Sequence, residues 1–164
     1  MRFDTNNYEK ILESDFLRFI DTTPTAQTPT WVLIAAVEEG NAGIDYNKNS
    51  DRTKLIVNKG AITNQTSQDK QMSVPYLAYK NDPCFEFVNA GRDKLNYKTR
   101  VLEVDFWDED DNNKYTAKMS NGTIDVTSYH GDTIEFNVFF DGDATEGKVT
   151  MANNTPTFTP TVSL

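Results

Sequence analysis

The sequence predicts a mainly β fold, a β-sandwich or partial barrel with one or two short flanking helices. In the second half of the chain, short runs of β-branched and aromatic residues alternate with turn-forming residues at the spacing of sandwich strands. Aromatic residues make up 12% of the chain, a fraction that suits a packed core and not a disordered acidic chain. A length of 164 residues indicates one domain with its own core.

The N-terminal segment, residues 1–30, is predicted to be a helix followed by an extended arm. Apolar residues recur at helical spacing over residues 6–20, and Asn6 or Asn7 is available as the N-cap. Residues 21–30 contain two prolines and five threonines, which favours an extended connector. We therefore expect this segment to be separable from the rest of the chain.

Residues 31–151 are predicted to form the β-sandwich. The run from Thr30 to Gly40 is apolar and rich in β-formers, so we expect a strand that is either buried on both faces or located at a contact surface. Residues 41–54 are polar and lack a period, which predicts a long loop of the kind that is often functional or mobile. Strand-forming sequence follows at residues 55–57 and 61–73.

A short helix is predicted over residues 82–91. Asp82 can cap it, Pro83 suits its first position and Gly91 can end it. Cys84, the single cysteine, falls in the first turn of this helix and is expected to pack in the core.

The last third of the chain is predicted to consist of strands and an extended tail. The strands are Arg100–Asp108, Lys114–Ser120, Thr123–Tyr129, Asp132–Asp141 and Gly147–Met151. The turn-forming sequences EDDNN, NG, HG and GDATEG separate them. The tail, residues 152–164, contains two prolines and little to bury, so we expect it to be extended and ordered only by a neighbouring molecule.

An acidic sheet face is the main candidate site. Because successive side chains of a strand point to opposite faces, several carboxylates are expected to lie opposite the apolar residues of these strands. They are Glu103, Asp105, Asp125 and Glu135. One interpretation is an ordinary solvated face. The other is a surface that stays close to a polyanion without binding it, since carboxylates repel phosphates.

The charge and composition exclude several classes of function. The chain has 25 acidic and 16 basic residues and a net charge of −9, which disfavours nucleic-acid binding through a basic patch. It contains no apolar run of the roughly 18 residues that a membrane span needs, so no membrane contact is expected. A single cysteine cannot form an internal disulfide.

Catalytic and metal-binding signatures are absent from the sequence. His130, the only histidine, lies in a predicted turn between Ser128 and Asp132, too close to both for a nucleophile, base and orienting group to assemble. One histidine also disfavours a zinc or iron site. Residues 108–119 match the first positions of a calcium loop but lack its glycine and its closing glutamate. Neither a cofactor nor an enzymatic activity is expected.

The order of these elements resembles that of a known family. The run TPTWVLIAAVEEG, the long polar loop, the KNDPCFEFVNAG helix, the paired late strands and the stretch DGDATEGKVTMANNTPTFTP resemble the major tail, or tail tube, proteins of long-tailed bacteriophages. The resemblance covers roughly residues 29–160. It implies a tail-tube-like β-sandwich with one flanking helix. It further implies non-enzymatic subunits that form six-membered rings, which stack around a lumen that conducts DNA during genome ejection.

The resemblance also implies partners and a location. The 41–54 loop would reach an adjacent ring, with Asp45, Tyr46, Lys48, Asp51, Arg52 and Lys54 as candidate contacts. The resemblance does not show which sheet lines the lumen; alternation and charge, rather than the resemblance, lead to the hypothesis that Glu103, Asp105, Asp125 and Glu135 do so. The partners would be further copies of the chain, other tail proteins, and DNA that passes without specific binding. The protein would be made in the host cytoplasm and reside in the virion tail.

Two other functions are compatible with the sequence. A carbohydrate-binding β-sandwich could stack sugars on Trp31, Trp107 or Tyr129. The tube protein of a contractile secretion machine would share the ring-forming architecture. The carbohydrate-binding module requires exposed aromatic side chains in a groove, whereas a tube requires self-association.

Overall fold

Strands make up most of the structure. The computed structural model describes residues 6–54, 56–57 and 60–162. The strands are β1 (Phe16–Asp21), β2 (Trp31–Leu33), β3 (Ile44–Asp45), β4 (Lys48–Thr53), β5 (Ile62–Gln68), β6 (Gln71–Leu77), β7 (Tyr97–Glu109), β8 (Tyr115–Tyr129), β9 (Thr133–Ala152) and β10 (Thr155–Pro160). Helix α1 is Pro83–Ala90, and a 3-10 turn, Glu13–Asp15, precedes β1.

Eight strands form one antiparallel sheet. Their order is β2-β1-β7-β8-β9-β6-β3, with β10 paired to the C-terminal part of β9. Strands β4 and β5 form a separate two-stranded sheet. The predicted mainly β class with a short flanking helix is confirmed, and the sheet stays open between β2 and β3 rather than closing into a barrel.

The large sheet is buried on both faces, in two separate cores. Val101 of β7 and Ile124 of β8 belong to the larger core, together with Val88 of α1. The next residue of β7, Leu102, belongs to the smaller core, against which Phe158 of β10 packs. Because consecutive residues of a strand point to opposite faces, the two cores lie on opposite sides of the sheet. We call these sides the helix face and the β10 face.

Strand β1 stands where the N-terminal helix is predicted. Phe19 lies in the smaller core and Ile20 in the larger one. A strand places adjacent side chains on opposite faces, whereas a helix with one apolar stripe does not. The prediction of a helix over 6–20 is therefore wrong, and residues 1–5 lie outside the described residues. The predicted boundary at residue 30 falls within the sheet, since β1 pairs with both β2 and β7.

The apolar segment Thr30–Gly40 is a strand only in β2, which lies at the edge of the sheet. Its residues are half-buried, so the alternative of a strand buried on both faces is wrong, and the alternative of a strand at a contact surface stays a prediction. After β2 the chain crosses towards β6, where the Ala36 carbonyl accepts a hydrogen bond from the Leu77 N–H at 2.9 Å. Ile34 reaches the larger core from this crossing.

The predicted loop, residues 41–54, contains two strands. Strand β3 pairs with β6, and β4 pairs with β5. All six side chains of β4 are exposed, so this strand lacks the apolar alternation by which a strand is detected in a sequence. The predicted strand that follows is a turn at Ile56 and Val57, and Leu55 lies outside the described residues.

Two of the predicted turns lie inside strands. Asn121 and Gly122 continue β8, and Gly122 serves close packing, since a Cβ there would lie 2.9 Å from Cγ1 of Val138. The GDATEG sequence lies inside β9, at a bulge where Gly142 takes a φ of 73° and the register with β8 shifts. The turns predicted at EDDNN and HG are confirmed, because β7–β8 and β8–β9 are joined there.

Much of the predicted C-terminal tail belongs to the sheet. Residues 155–160 form β10, which pairs with β9 of the same chain. Pro156 is buried, and Phe158 packs against the smaller core. The expectation that a neighbouring molecule orders this part of the tail is therefore wrong.

Helix α1 follows its local sequence signals. The Asp82 carboxylate accepts a hydrogen bond from the Cys84 N–H at 2.9 Å, Pro83 is the first helical residue, and Gly91 is the C-cap. The Tyr76 hydroxyl donates to the same carboxylate at 2.6 Å and so ties the helix start to β6. Cys84 is fully buried, which confirms its predicted place in the core.

Burial of Cys84 and Tyr76 predicts a loss of stability at alkaline pH. Burial raises the pKa of the Cys84 thiol from its ordinary value of 9.0 to about 12, and it also raises the pKa of the Tyr76 hydroxyl. The unfolded chain therefore loses these protons before the native chain does. The stability they contribute is fully present below about pH 9 and is lost as the pH rises towards 12.

Urea unfolding at several pH values above 8 tests this prediction. The free energy of unfolding should fall with pH, and in Cys84→Ala the slope should be shallower by up to about 1.4 kcal/mol per pH unit. Cys84→Ala also loses packing in the core, which lowers its free energy of unfolding at every pH. The comparison therefore uses only the slope of the free energy of unfolding against pH. Parallel curves for the two proteins would contradict the assignment.

Candidate functional site

The separate two-stranded sheet forms a hairpin, residues 48–68, that carries a charge opposite to that of the rest of the chain. Its sequence contains Lys48, Arg52, Lys54 and Lys59 but a single carboxylate, Asp51. The hairpin thus carries +3 and the remaining residues −12, which together make the net charge of −9. Opposite charges on two parts of one chain favour contact between copies.

The hairpin buries none of its described side chains. Every residue of β4 and β5 is exposed. Its strands are held by backbone pairing and by polar contacts such as the Asn49 side-chain amide donating to the Ser67 hydroxyl at 2.8 Å. At the tip, Ile56 and Val57 are 105% and 83% exposed. The described residues of the hairpin therefore belong to neither hydrophobic core.

The base of the hairpin, in contrast, is fixed to the large sheet by a buried ion pair. The Lys70 ammonium lies 2.6 Å from a carboxylate oxygen of Glu103, and both side chains are almost fully buried. The same ammonium lies 4.5 Å from the ring centre of Phe140 and 5.3 Å from that of Tyr46. Burial and the nearby charges of Glu103 and Asp105 raise the pKa of Tyr46.

The candidate contact residues of the predicted loop divide between the hairpin and its base. Lys48, Asp51 and Arg52 lie on β4, and Lys54 follows it, all of them exposed. Asp45 instead belongs to β3 and pairs with Gln71 of the large sheet. Tyr46 lies at the base, beside Lys70.

The four carboxylates of the predicted acidic face do not share a face. Glu103 and Asp105 of β7 alternate in phase with Val101 and therefore lie on the helix face. Glu103 is only 5% exposed because it pairs with Lys70, so it is an internal residue rather than a lumen candidate. Arg18 of β1 lies directly across from it in the sheet.

Asp125 and Glu135 lie on the β10 face and are exposed. Asp125 follows Ile124, whose side chain is in the larger core, so it points to the opposite side. Glu135 pairs with Ser128, whose hydroxyl donates to its carboxylate at 3.3 Å. The hypothesis of one surface with all four carboxylates is therefore wrong. Alternation shows which residues of one strand share a face, but it does not show which residues of the neighbouring strand lie on that same face.

A third carboxylate that the sequence reasoning missed joins this exposed surface. Asp141 of β9 accepts a hydrogen bond from the Thr123 hydroxyl at 2.8 Å and lies 3.5 Å from the Lys98 ammonium. We call Asp125, Glu135 and Asp141 the outer carboxylates. The register of β8 with β9, which the sequence does not reveal, brings Asp141 onto the same face.

The aromatic residues proposed for sugar stacking lie apart. Trp31 is half-buried against the smaller core. Tyr129 stacks on Phe85 on the helix face, with the Arg92 guanidinium 4.4 Å from its ring centre. Trp107 is 53% exposed and lines neither of the pockets that contain the other two. These three side chains form no shared groove in the described structure.

The turn between β7 and β8, which partly matches a calcium loop in sequence, is organised by Asp110. Its carboxylate accepts hydrogen bonds from the backbone N–H groups of Lys114 and Asn112, at 3.0 and 2.9 Å. These bonds, that of Lys114 first, lower the pKa of Asp110. The carboxylate thus closes a turn. Over residues 6–54, 56–57 and 60–162 no group of three or more metal-ligating side chains is present.

His130 lies in the exposed turn between β8 and β9, where its backbone N–H donates to the Thr133 carbonyl at 2.9 Å. Its neighbours in the sequence form no catalytic constellation around it. In the part of the chain that the structure describes, no helix has the length and apolar character of a membrane span.

Comparison with known proteins gives a structural likeness but no sequence match. No protein-family model matches the chain, and no curated protein matches it. Among solved structures, the chain is similar to a chain of the anti-feeding prophage baseplate, a 6-fold symmetrised cryo-EM structure. The match covers 85% of this chain and 96% of that one, with 6% sequence identity and a TM-score of 0.46. Values this low do not establish a common fold.

Proposed function

We propose that this chain is a structural subunit of a phage-tail-like assembly, a tail tube protein whose copies form six-membered rings that stack. The observation that carries the proposal is the hairpin of residues 48–68, whose described side chains are all exposed while its base is fixed by the Lys70–Glu103 pair. A rigidly based arm with no role in its own core is suited to contact a neighbouring copy. The subunit has no enzymatic activity in this proposal.

The open sheet supports the same proposal. Strands β2 and β3 lie at its two ends and are only three and two residues long. An open sheet can be extended by a neighbouring copy, and a closed ring of copies leaves no edge exposed. Other tail proteins would bind the ends of the tube.

The outer carboxylates are the residues we propose for the lumen. Asp125, Glu135 and Asp141 lie on the part of the β10 face that the smaller core leaves exposed, and among the described residues only Lys98 forms an ion pair with one of them. In a narrow channel their repulsion of phosphates is screened less than on an open surface, so DNA would pass without binding.

Negative-stain microscopy of the concentrated protein tests the proposal. Rings or hollow rods are expected from the wild type. A matched variant, in which a short Gly-Ser turn replaces residues 49–67, should fold because the described residues of this range belong to neither core. It should form no rods. Dispersed monomers at every concentration would refute the tube and favour a monomeric binding module.

The same rods test the lumen. Replacing Asp125 and Glu135 by lysine should leave rod formation intact and make rods retain double-stranded DNA on sedimentation. Lysine at the exposed Asp93 and Asp132 is the control and should not cause retention. Equal retention by both variants would exclude the outer carboxylates from the lumen.

A further inference from the structure

We propose that the hairpin tip, Ile56 and Val57, docks into a pocket between residues 12–18 and 34–39 of a second copy. This inference rests on the proposed function, because it requires that copies of the chain associate. It specifies which surface of the neighbour receives the hairpin.

The tip is apolar where a free loop would be polar. Ile56 is 105% exposed and Val57 83%, and Ile62, at the start of β5, is 55% exposed. Contiguous exposed β-branched side chains at the end of a projecting arm mark a contact site, since water disfavours them. The polar strands β4 and β5 confine this apolar surface to the tip.

The receiving pocket has the size and lining for such side chains. Its volume is about 420 Å³, within the range of well-formed binding sites. Its lining includes Leu12, Phe16, Ile34, Val37, Glu13 and Glu39. Two hydrogen bonds shape the rim: the Gly40 N–H donates to the Glu13 carboxylate at 2.7 Å, and the Leu12 N–H donates to that of Asp15 at 2.8 Å.

The charges of the two surfaces are complementary. Glu13 and Glu39 line the pocket, and Glu38 adjoins it in the sequence. Arg52 and Lys54 precede the tip on the hairpin, whose net charge is +3. Docking therefore places basic side chains against an acidic rim and apolar side chains against an apolar interior. This complementarity favours the basic hairpin of a second copy over a partner whose contact surface is acidic.

The inner wall of the pocket is held in place by Arg18. Arg18 lines the pocket and is only 8% exposed. Its Nη1 donates to the Ala42 carbonyl at 2.6 Å, but its Nε has no hydrogen-bond partner in the described part of the chain. The Nε atom is itself buried, so the bond that Arg18 makes to the Ala42 carbonyl, and not a contact with the docked tip, fixes this wall of the pocket.

Disulfide trapping between two variants, each with one cysteine added to the native Cys84, tests the contact. Full-length chains carrying Ile56→Cys are mixed with chains carrying Leu12→Cys at the pocket rim and are then oxidised. The native Cys84 is fully buried and does not compete. A linked heterodimer should form much faster than in a mixture with Leu95→Cys, a control residue that is 91% exposed elsewhere on the surface.

Sedimentation velocity measures the effect on association. Ile56→Ser should raise the concentration at which half of the chains associate by about tenfold or more, because an isoleucine is no longer buried. Leu95→Ser, the matched control, should leave it unchanged. Lys54→Glu and Glu39→Lys should each raise this half-association concentration by about two- to fivefold. The two substitutions together should return it to the wild-type value.

The outcomes separate the inference from the proposed function. If the wild type stays monomeric at every concentration, the proposed function fails and the docking with it. If it associates but Ile56→Ser behaves like the wild type, the docking is refuted and the proposed function stands. Loss of association in Ile56→Ser without trapping at Leu12 and without charge-swap rescue would equally refute this pocket as the receptor.

Discussion

Replacing Asp21 by alanine is expected to lower the free energy of unfolding by about 3–5 kcal/mol. The Asp21 carboxylate is fully buried and lies 2.6 Å from Nε of Arg100. It also accepts hydrogen bonds from the backbone N–H groups of Thr23 and Thr30, both at 2.9 Å. The substitution leaves a largely buried guanidinium without its counter-charge and two donors without their acceptor.

The measurement is urea unfolding followed by far-ultraviolet circular dichroism. Asp93→Ala is the matched control, since Asp93 is 94% exposed and only 3.8 Å from Arg92; its stability should equal that of the wild type within error. Asp21→Asn keeps the shape of the side chain and one acceptor oxygen. Its free energy of unfolding should therefore lie between those of Asp21→Ala and Asp93→Ala. Equal stabilities of Asp21→Ala and Asp93→Ala would show that the buried network contributes nothing.

Replacing Glu103 by alanine is expected to have a similarly large effect, about 3–5 kcal/mol. The change leaves the Lys70 ammonium, itself only 10% exposed, without a partner in the larger core. The double variant Lys70→Met with Glu103→Leu should recover most of the loss, because replacing both charges by apolar side chains removes the unpaired ion. Asp125→Ala and Glu135→Ala are exposed carboxylate controls and should remain close to the wild type.

The same substitution is expected to loosen the base of the hairpin. The Phe140 N–H donates to the Lys70 carbonyl at 3.0 Å, so hydrogen exchange of this amide reports on the base. Exchange should accelerate in Glu103→Ala and not in Asp125→Ala. If Glu103→Ala proves no more destabilising than Asp125→Ala and leaves this exchange unchanged, Glu103 is not the internal anchor described above.

Local signals were sufficient for helix α1. Its N-cap carboxylate, its first-position proline and its terminal glycine act within a few residues of the chain, so the sequence alone predicts the start and end of the helix. The same holds for the turn between β7 and β8, where Asp110 closes the chain on itself. The buried position of Cys84 follows from its apolar neighbours in the helix.

The candidate site was only partly predictable. The sequence predicts contacts by the charged residues of 48–54, but it does not predict the hairpin that displays them, which is formed by backbone pairing with residues that carry no apolar pattern. Alternation within β8 and β9 correctly separates Asp125 and Glu135 from the apolar side chains of the same strands. Glu103 was placed with them because its partner, Lys70, is distant in sequence and the pairing depends on how β6 and β7 are arranged across the core.

The sequence by itself determined the mainly β class, the helix and its caps, and the acidic balance of the chain, because these depend on composition and on neighbours within a few residues. Only the tertiary structure decided that residues 16–21 form a strand, that Gly122 continues one, and that the carboxylates divide between two faces. Pairing register and two-sided burial involve residues far apart in the chain. Alternation and spacing within one segment do not encode them.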